Sequence, residues 1–174
     1  KNPCNAAYMP GSFKQGTEKI RLDALNKVLN AHPNIKKIQS AEGGYVAAPA
    51  LKAATDVLTA HADLDVFATS GDQMMTGILQ AVKNAGKAGK IKLVGNGTTI
   101  EGVSWVRQGL VLADPVGVPY TEGVLGAKYA IMAVNGQKVP ASVNELAFSP
   151  VGNVATKATL SSKKGKSFKG QYHG

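Results

Sequence analysis

The stretch 64–97 constrains the fold of this chain more than any other. It holds two short apolar runs, 66–68 and 91–94, each too short for a helix and typical of a buried strand. Between them lie apolar residues at helical spacing and a glycine stop: Met74, Met75, Ile78, Leu79, Val82 and Gly86. The stretch therefore predicts strand, helix and strand, the repeating unit of a parallel sheet.

The rest of the chain repeats this pattern on both sides. Further strands are predicted at 6–9, 35–41, 110–114 and 143–148, and further helices at 20–29, 51–58, 98–109 and 123–134. The first of these helices takes its apolar face from Ile20, Ala24, Leu25, Val28 and Leu29. The third opens with a capping box from Thr98 to Glu101. The succession predicts an α/β fold, with a parallel sheet and helices on both of its faces.

Composition excludes several classes of function. The chain has 174 residues with 44% apolar and 18% charged residues, which is a globular profile. No apolar run approaches the roughly 20 residues of a membrane span. The net charge of +9 owes much to the end of the chain, where five lysines and no acid follow Glu145. This pattern favours a solvated, partly mobile basic tail over a nucleic-acid arm, so no nucleic-acid partner is expected.

Motifs for catalysis or for metal binding are missing. The segment 102–106 lacks the second glycine of a nucleophile elbow. The segment 86–90 precedes a strand instead of a helix, so it is not a phosphate loop. His32 and His61 have no further ligand at a suitable spacing. We therefore expect no enzyme activity, no metal and no cofactor.

Polar side chains follow two neighbouring predicted strands. Thr69, Ser70 and Asp72 follow the first of them, and Asn96, Thr98 and Thr99 follow the second. The carboxyl ends of parallel strands form the edge of the sheet at which ligands bind. The sequence therefore predicts a binding site at this edge.

Several phrases, in a fixed order and spacing, resemble one known family. They are Glu18-Lys19-Ile20-Arg21, Glu42-Gly43-Gly44-Tyr45, Asp72-Gln73-Met74-Met75-Thr76-Gly77, Lys92-Leu93-Val94-Gly95 and Pro119-x-x-x-Gly123. Together they are similar to the carboxyl-terminal part of type I periplasmic sugar-binding proteins of ABC transporters, the ribose-binding family. The resemblance extends to about residue 159, and most of the family's first lobe has no counterpart in this sequence.

The resemblance implies a division of the chain and a role for it. Residues 1–115 would form the carboxyl-terminal-type ligand-binding lobe. Residues 116–142 would form a crossover helix that belongs with the missing first lobe, and residues 143–174 a final strand and the basic tail. The implied function is that of the solute-binding component of an ABC importer, periplasmic after removal of a signal peptide. It would deliver its ligand to a membrane permease, and self-association of the lone lobe is also expected. The alternative is the effector-binding core of a transcription regulator with the same fold.

The resemblance also suggests which residues bind the ligand. Arg21 matches the sugar-contacting arginine of the family and Tyr45 its stacking aromatic residue, with Ser70, Asp72 and Asn96 as polar groups of the cleft. Three of these residues have a plainer interpretation: Arg21 as a surface helix residue, Tyr45 as a loop ring, and Asp72 as the N-cap of a helix. The polar groups are fewer than a pentose site would need. The expected ligand is therefore a sugar, a polyol or another small polar molecule.

Overall fold

A computed structural model describes residues 3–174 of the chain. Its strands are Cys4–Met9 (β1), Ile35–Gln39 (β2), Val66–Thr69 (β3), Lys92–Val94 (β4), Ala113–Pro115 (β5) and Val154–Thr156 (β6). Its α-helices are Gly16–Asn30 (α1), Ala47–Ala60 (α2), Asp72–Asn84 (α3), Ile100–Gln108 (α4), Pro119–Val134 (α5) and Lys157–Ser161 (α6). Two short 3-10 helices, Glu145–Phe148 and Gly165–Ser167, complete the described structure.

The strands form one mostly parallel sheet in the order β2-β1-β3-β4-β5-β6. Neighbouring strands are parallel from β2 to β5, and β6 runs antiparallel to β5. In this order β1 and β3 are neighbours, β2 lies on the other side of β1, and β4 lies on the other side of β3. The carboxyl ends of β1, β3 and β4 therefore meet at one edge of the sheet. The predicted α/β fold is confirmed.

The two faces of the sheet are covered differently. The register aligns Ala7, Phe67 and Leu93 across β1, β3 and β4, and all three are buried with the apolar residues of α2 and α3. The opposite face carries Ala6 and Val66, which line a cavity of about 200 Å³ beneath α1. The main core thus lies on the α2–α3 side. This agrees with the apolar periodicity of both helices in the sequence.

The predicted apolar face of α1 is wrong for most of its residues. Ile20 is 69% exposed and Val28 57% exposed, and Ala24 is exposed as well. Only Leu25 and Leu29 of that set line the cavity against the sheet. The helix is rotated about its axis relative to this prediction. Glu18, in its first turn, is fully buried and faces the protein interior.

Two other local predictions need correction. Residues 143–148 contain no strand: a 3-10 turn occupies Glu145–Phe148, where the Asn144 side chain accepts a hydrogen bond from Leu146 N at 3.1 Å. The last strand is β6 instead. The N-cap of α4 is Thr99 and not Thr98, because the Thr99 hydroxyl accepts the Gly102 N–H at 2.9 Å.

The basic tail is packed and not simply solvated. Leu160 and Phe168 are buried in the common core. The Arg107 guanidinium donates hydrogen bonds to four backbone carbonyls of the tail, those of Leu160, Gly165, Lys166 and Phe168, at 2.9–3.3 Å. The sequence prediction of a mobile tail overlooked this arginine, since its partners are carbonyl groups that any residue carries.

The helix α5 differs from the others in its exposure. No residue of α5 is buried, although its composition is largely apolar. Among residues 3–174, no helix is both long and apolar enough to cross a bilayer. The division of the chain at residues 115 and 142 remains a prediction.

Candidate functional site

A polar network occupies the carboxyl edge of the sheet, where β1, β3 and β4 end. Gly11, after β1, donates its N–H to the Ser70 hydroxyl at 2.8 Å. Asn96, after β4, donates from Nδ2 to the Ser70 carbonyl at 2.8 Å. Ser70 therefore joins the loops that follow three neighbouring strands. Two of the five predicted site residues, Ser70 and Asn96, are in direct contact.

The buried carboxylate of Glu18 organises one half of this edge. It accepts hydrogen bonds from the Tyr8 hydroxyl at 2.6 Å, from Gly11 N at 3.1 Å and from the Tyr45 hydroxyl at 3.0 Å. Burial opposes ionisation of Glu18, but these hydrogen bonds outweigh it and hold the pKa of the carboxyl below its usual value. The charge of Glu18 also contributes to a raised pKa of Tyr8, after the larger effect of burial.

Tyr45 and Arg21 meet above this carboxylate. Arg21 Nη1 donates to the Tyr45 hydroxyl at 3.2 Å and lies 3.8 Å from Glu18 Oε2. The Tyr45 backbone adopts a φ of +56°, which an L-residue other than glycine rarely does. A Cβ atom at Gly11 or Gly71 would run into the Tyr45 ring, so the ring lies directly on the backbone that follows β1 and β3.

Asp72 holds the loop after β4 in place. Its Oδ1 accepts the Asn96 N–H at 3.0 Å, and its Oδ2 accepts the N–H and the hydroxyl of Thr99 at 2.9 and 3.0 Å. The N-cap of α3 is Gly71, so the interpretation of Asp72 as that cap is wrong. The side chain is 1% exposed and both its oxygens are occupied. Asp72 therefore fixes the backbone position of Asn96 through this hydrogen bond.

Asp114 at β5 is part of the same edge and was not predicted from the sequence. It is fully buried, and its Oδ1 accepts the Thr98 N–H at 3.2 Å. Its Oδ2 is buried without a hydrogen-bond partner among residues 3–174. Burial and the adjacent charge of Asp72 raise the pKa of Asp114 to about 8. Asp114 is therefore protonated at neutral pH.

The five predicted site residues thus belong to one connected network. Arg21, Tyr45 and Asn96 present side chains that are exposed or half-buried, whereas Ser70 and Asp72 are buried behind them. Glu18 and Asp114 were missed as site residues, although Glu18 stands in one of the family-like phrases and Asp114 ends a predicted strand. An acid that ends an otherwise apolar strand, as Asp114 does, is the signal that would have indicated it.

A large cavity elsewhere in residues 3–174 is mainly apolar. A cavity of about 510 Å³ lies between α3 and α4, lined mainly by apolar residues such as Leu79, Val82 and Trp105. None of the five predicted site residues lines it. No group of three or more His, Cys, Asp or Glu residues in the described part of the chain is placed to hold a metal ion.

The chain belongs to a known family of binding proteins. A family model described as a periplasmic binding protein domain matches residues 1–138. The D-allose-binding periplasmic protein of Escherichia coli is 28% identical over 133 residues, which are 76% of this chain and 43% of that protein. The ribose import binding protein RbsB of Salmonella typhimurium is 34% identical over 86 residues, which are 49% of this chain and 29% of that protein. The family predicted from the sequence is confirmed.

Solved structures of solute-binding proteins share this fold. An ABC transporter solute-binding protein from Agrobacterium vitis with bound D-fucose has a TM-score of 0.81 and 25% identity, covering 93% of this chain and 54% of that one. A periplasmic solute-binding protein from Actinobacillus succinogenes with bound D-allose has a TM-score of 0.79 and 24% identity, covering 89% and 52%. The chain spans about half the length of these relatives, or less.

Proposed function

We propose that this chain is part of a solute-binding protein of an ABC importer, and that it binds a sugar or polyol at the carboxyl edge of its sheet. The observation that carries the proposal is the network that joins Arg21, Tyr45, Ser70, Asp72 and Asn96. Three of the matched relatives are named for, or bind, a sugar: D-allose, ribose and D-fucose.

The exposed groups at this edge suit a polyhydroxylated ligand. Arg21 is a multiple donor, Asn96 supplies an amide carbonyl that accepts, and the Tyr45 ring offers an apolar face for C–H groups. Ser70 and Asp72 act behind them by positioning Asn96. The ligand is held by contacts only, because the proposed role requires no bond to be made or broken.

Transport would depend on a second lobe that closes over the bound solute. The closed protein would then deliver the solute to a membrane permease from the periplasm. Support for this role comes from the names of the matched relatives, which are periplasmic and import binding proteins. The same names favour transport over the alternative of an effector-binding core in a transcription regulator.

The test is calorimetry on the full-length protein with D-allose, D-ribose, D-fucose, myo-inositol and glycerol. Arg21→Ala and Tyr45→Ala should each weaken binding of the preferred probe by about 5- to 150-fold, which corresponds to about 1–3 kcal/mol. Lys19→Ala is the matched control, because Lys19 lies on the same helix and pairs only with the exposed Asp23 in the described structure. Binding that is unchanged in both site variants would exclude this edge as the site.

A further inference from the structure

The C-terminal segment, residues 170–174, lies against the carboxyl edge of the sheet. The Tyr172 carbonyl accepts the Ile100 N–H at 2.9 Å, at the start of α4. The carboxylate of Glu101, the next residue, is hydrogen-bonded to the segment. Its Oε1 lies 2.7 Å from His173 Nδ1, and its Oε2 accepts the Gly174 N–H at 3.0 Å. The end of the segment is therefore tied to the first turn of α4, directly after the loop that carries Asn96.

The start of the segment is held from another side. The Gln171 side chain accepts the Thr121 N–H at 3.2 Å and donates to the Thr121 hydroxyl at 2.9 Å, at the start of α5. Gly170 has a φ of +82°, and a Cβ there would lie 2.6 Å from the Thr98 carbonyl oxygen. Glycine is thus required for this close approach to the loop after β4. These contacts fix the backbone on both sides of Tyr172.

The fixed backbone directs the Tyr172 side chain onto the loop after β4. A Cβ atom at Gly97 would overlap the Tyr172 hydroxyl oxygen, so the hydroxyl lies directly over Gly97. No hydrogen bond to this hydroxyl is found within residues 3–174, and the side chain is half-buried. Burial and the charge of Asp72 raise the pKa of Tyr172 to about 12, so the hydroxyl stays protonated and remains a donor.

The edge therefore carries two aromatic side chains, Tyr45 and Tyr172. Tyr45 lies over Gly11 and Gly71, after β1 and β3, whereas Tyr172 lies over Gly97, after β4. We propose that Tyr172 forms a second aromatic wall of the solute site and donates its hydroxyl to the bound molecule. This inference rests on the proposed function. The ligand expected at such a site is a small polyhydroxylated ring. The C–H groups of the ring would pack on the aromatic faces, and its hydroxyls would reach the polar groups.

The test compares variants of the full-length protein by calorimetry with D-allose, D-ribose and myo-inositol. Tyr172→Ala should raise the Kd of the probe that binds best about tenfold, and Tyr172→Phe, which keeps the ring, about threefold. Tyr129→Ala and Tyr129→Phe, the same changes in the middle of α5, should leave the Kd unchanged. Glu101→Ala, which releases the anchor of the segment, should raise the Kd about threefold because Tyr172 is then less well positioned.

A fluorescence measurement separates ligand contact from a purely structural effect. Tyr172→Trp in a Trp105→Phe background leaves position 172 as the one tryptophan among residues 1–174. Its emission should shift on saturation with the same probe, because the ring and the solute would be in contact. Unchanged emission, together with an unchanged Kd in the Tyr172 variants, would overturn the inference and leave the proposed function intact.

Two further outcomes also decide the matter. Tighter binding in Tyr172→Ala and Glu101→Ala would show that the segment competes with the solute, which overturns its role as a wall. If none of the three probes binds to the unmodified protein, nor D-fucose or glycerol, the proposed function fails and this inference fails with it.

Discussion

Asp72 and Asp114 come together beneath Gly102, where a Cβ atom would overlap Oδ2 of both carboxyl groups. The two side chains are 1% and 0% exposed. Two carboxylates this close in a buried site cannot both ionise easily, and the proton resides on Asp114, whose second oxygen lacks a partner among residues 3–174. The glycine on α4 is thus required by the pair of acids below it.

Because of this pair, we expect the free energy of unfolding to decrease as the pH rises above about 4. The unfolded Asp114 carboxyl ionises near pH 4 and the folded one near pH 8. Between these values the folded state holds the extra proton, so the free energy of unfolding should fall as the pH rises. The slope from this one group is at most about 1.4 kcal/mol per pH unit. Asp114→Asn should abolish this contribution, as measured by urea unfolding from pH 4 to pH 8.

Asp56→Asn is the control for this experiment. Asp56 is exposed and pairs with Lys52 on the surface of α2, so its removal should leave the slope unchanged. A slope in Asp114→Asn equal to that of the unmodified protein would show that Asp114 does not bind the extra proton.

Glu18 should show the opposite dependence. Its folded pKa is lowered, so its ionised form contributes stability above the unfolded pKa, near pH 4.5, and this contribution is lost as the pH falls. Glu18→Gln places an amide N–H₂ among the donors of Tyr8, Gly11 and Tyr45, and should destabilise the fold by about 1–3 kcal/mol at pH 7. The deficit should shrink in acid. Urea unfolding at pH 7 and pH 3 measures both effects, and an equal deficit at the two pH values would contradict this explanation.

The helices of the core were predictable because burial there follows a period. The apolar residues of α2 and α3 are spaced so that they share one face of each helix, and both helices bury this face as expected. The apolar spacing in α1 does not predict its buried face, since Ile20 and Val28 are exposed and Glu18 is buried instead. Burial of a single acid leaves no periodic pattern: Glu18 and Asp114 are stabilised by groups distant in the chain, such as Tyr45 and Thr98.

The site residues were predicted only in part from the residues themselves. Polar groups after β3 and β4 were predicted from the strand ends. Arg21 and Tyr45 were identified by the family resemblance. Tyr172 was not predicted, since its position depends on how the tail returns along α4 to the edge of the sheet, and the lysine-rich composition of the tail concealed this path.

The close packing of α2 and α3 gives a prediction with an internal control. A Cβ atom at Gly77 would overlap the Ala47 carbonyl oxygen and lie 2.6 Å from Leu51 N. Gly77→Ala should force the two helices apart and destabilise the fold by about 1–3 kcal/mol. Gly123→Ala in α5, where no atom lies within 4 Å, should be stabilising by up to about 1 kcal/mol. Urea midpoints that move in the same direction for both variants would contradict this packing.

The anchoring of the tail by Arg107 can be measured by proteolysis. Arg107→Met keeps an apolar stem but removes the donors to the four tail carbonyls. Cleavage by trypsin after the lysines of residues 163–169 should become about tenfold faster, because local opening costs less free energy. Gln108→Ala is the control, since Gln108 bonds only to Ser104 through its side chain in the described structure. Equal cleavage rates in all three proteins would show that Arg107 does not hold the tail.

The exposed face of α5 predicts association of the isolated 174-residue chain. Val124 is 50%, Ile131 62% and Val134 88% exposed, and no residue of the helix is buried. A helix of this length is marginal without a packing partner, and an apolar face on the surface promotes contacts between molecules. Residues 1–174 expressed alone should therefore self-associate. They should also bind the sugar probes poorly, because closure of a second lobe is impossible.

Light scattering over a range of concentrations measures the association, and calorimetry measures the binding. Ile131→Lys combined with Val134→Lys should shift the chain towards the monomer, because each lysine places a charge on the associating face. Ile20→Lys, which adds the same charge on the exposed side of α1, should not change the association. A monodisperse monomer that binds a sugar with micromolar affinity or better would contradict the prediction. It would also show that residues 116–142 need no second lobe, against the division proposed from the sequence.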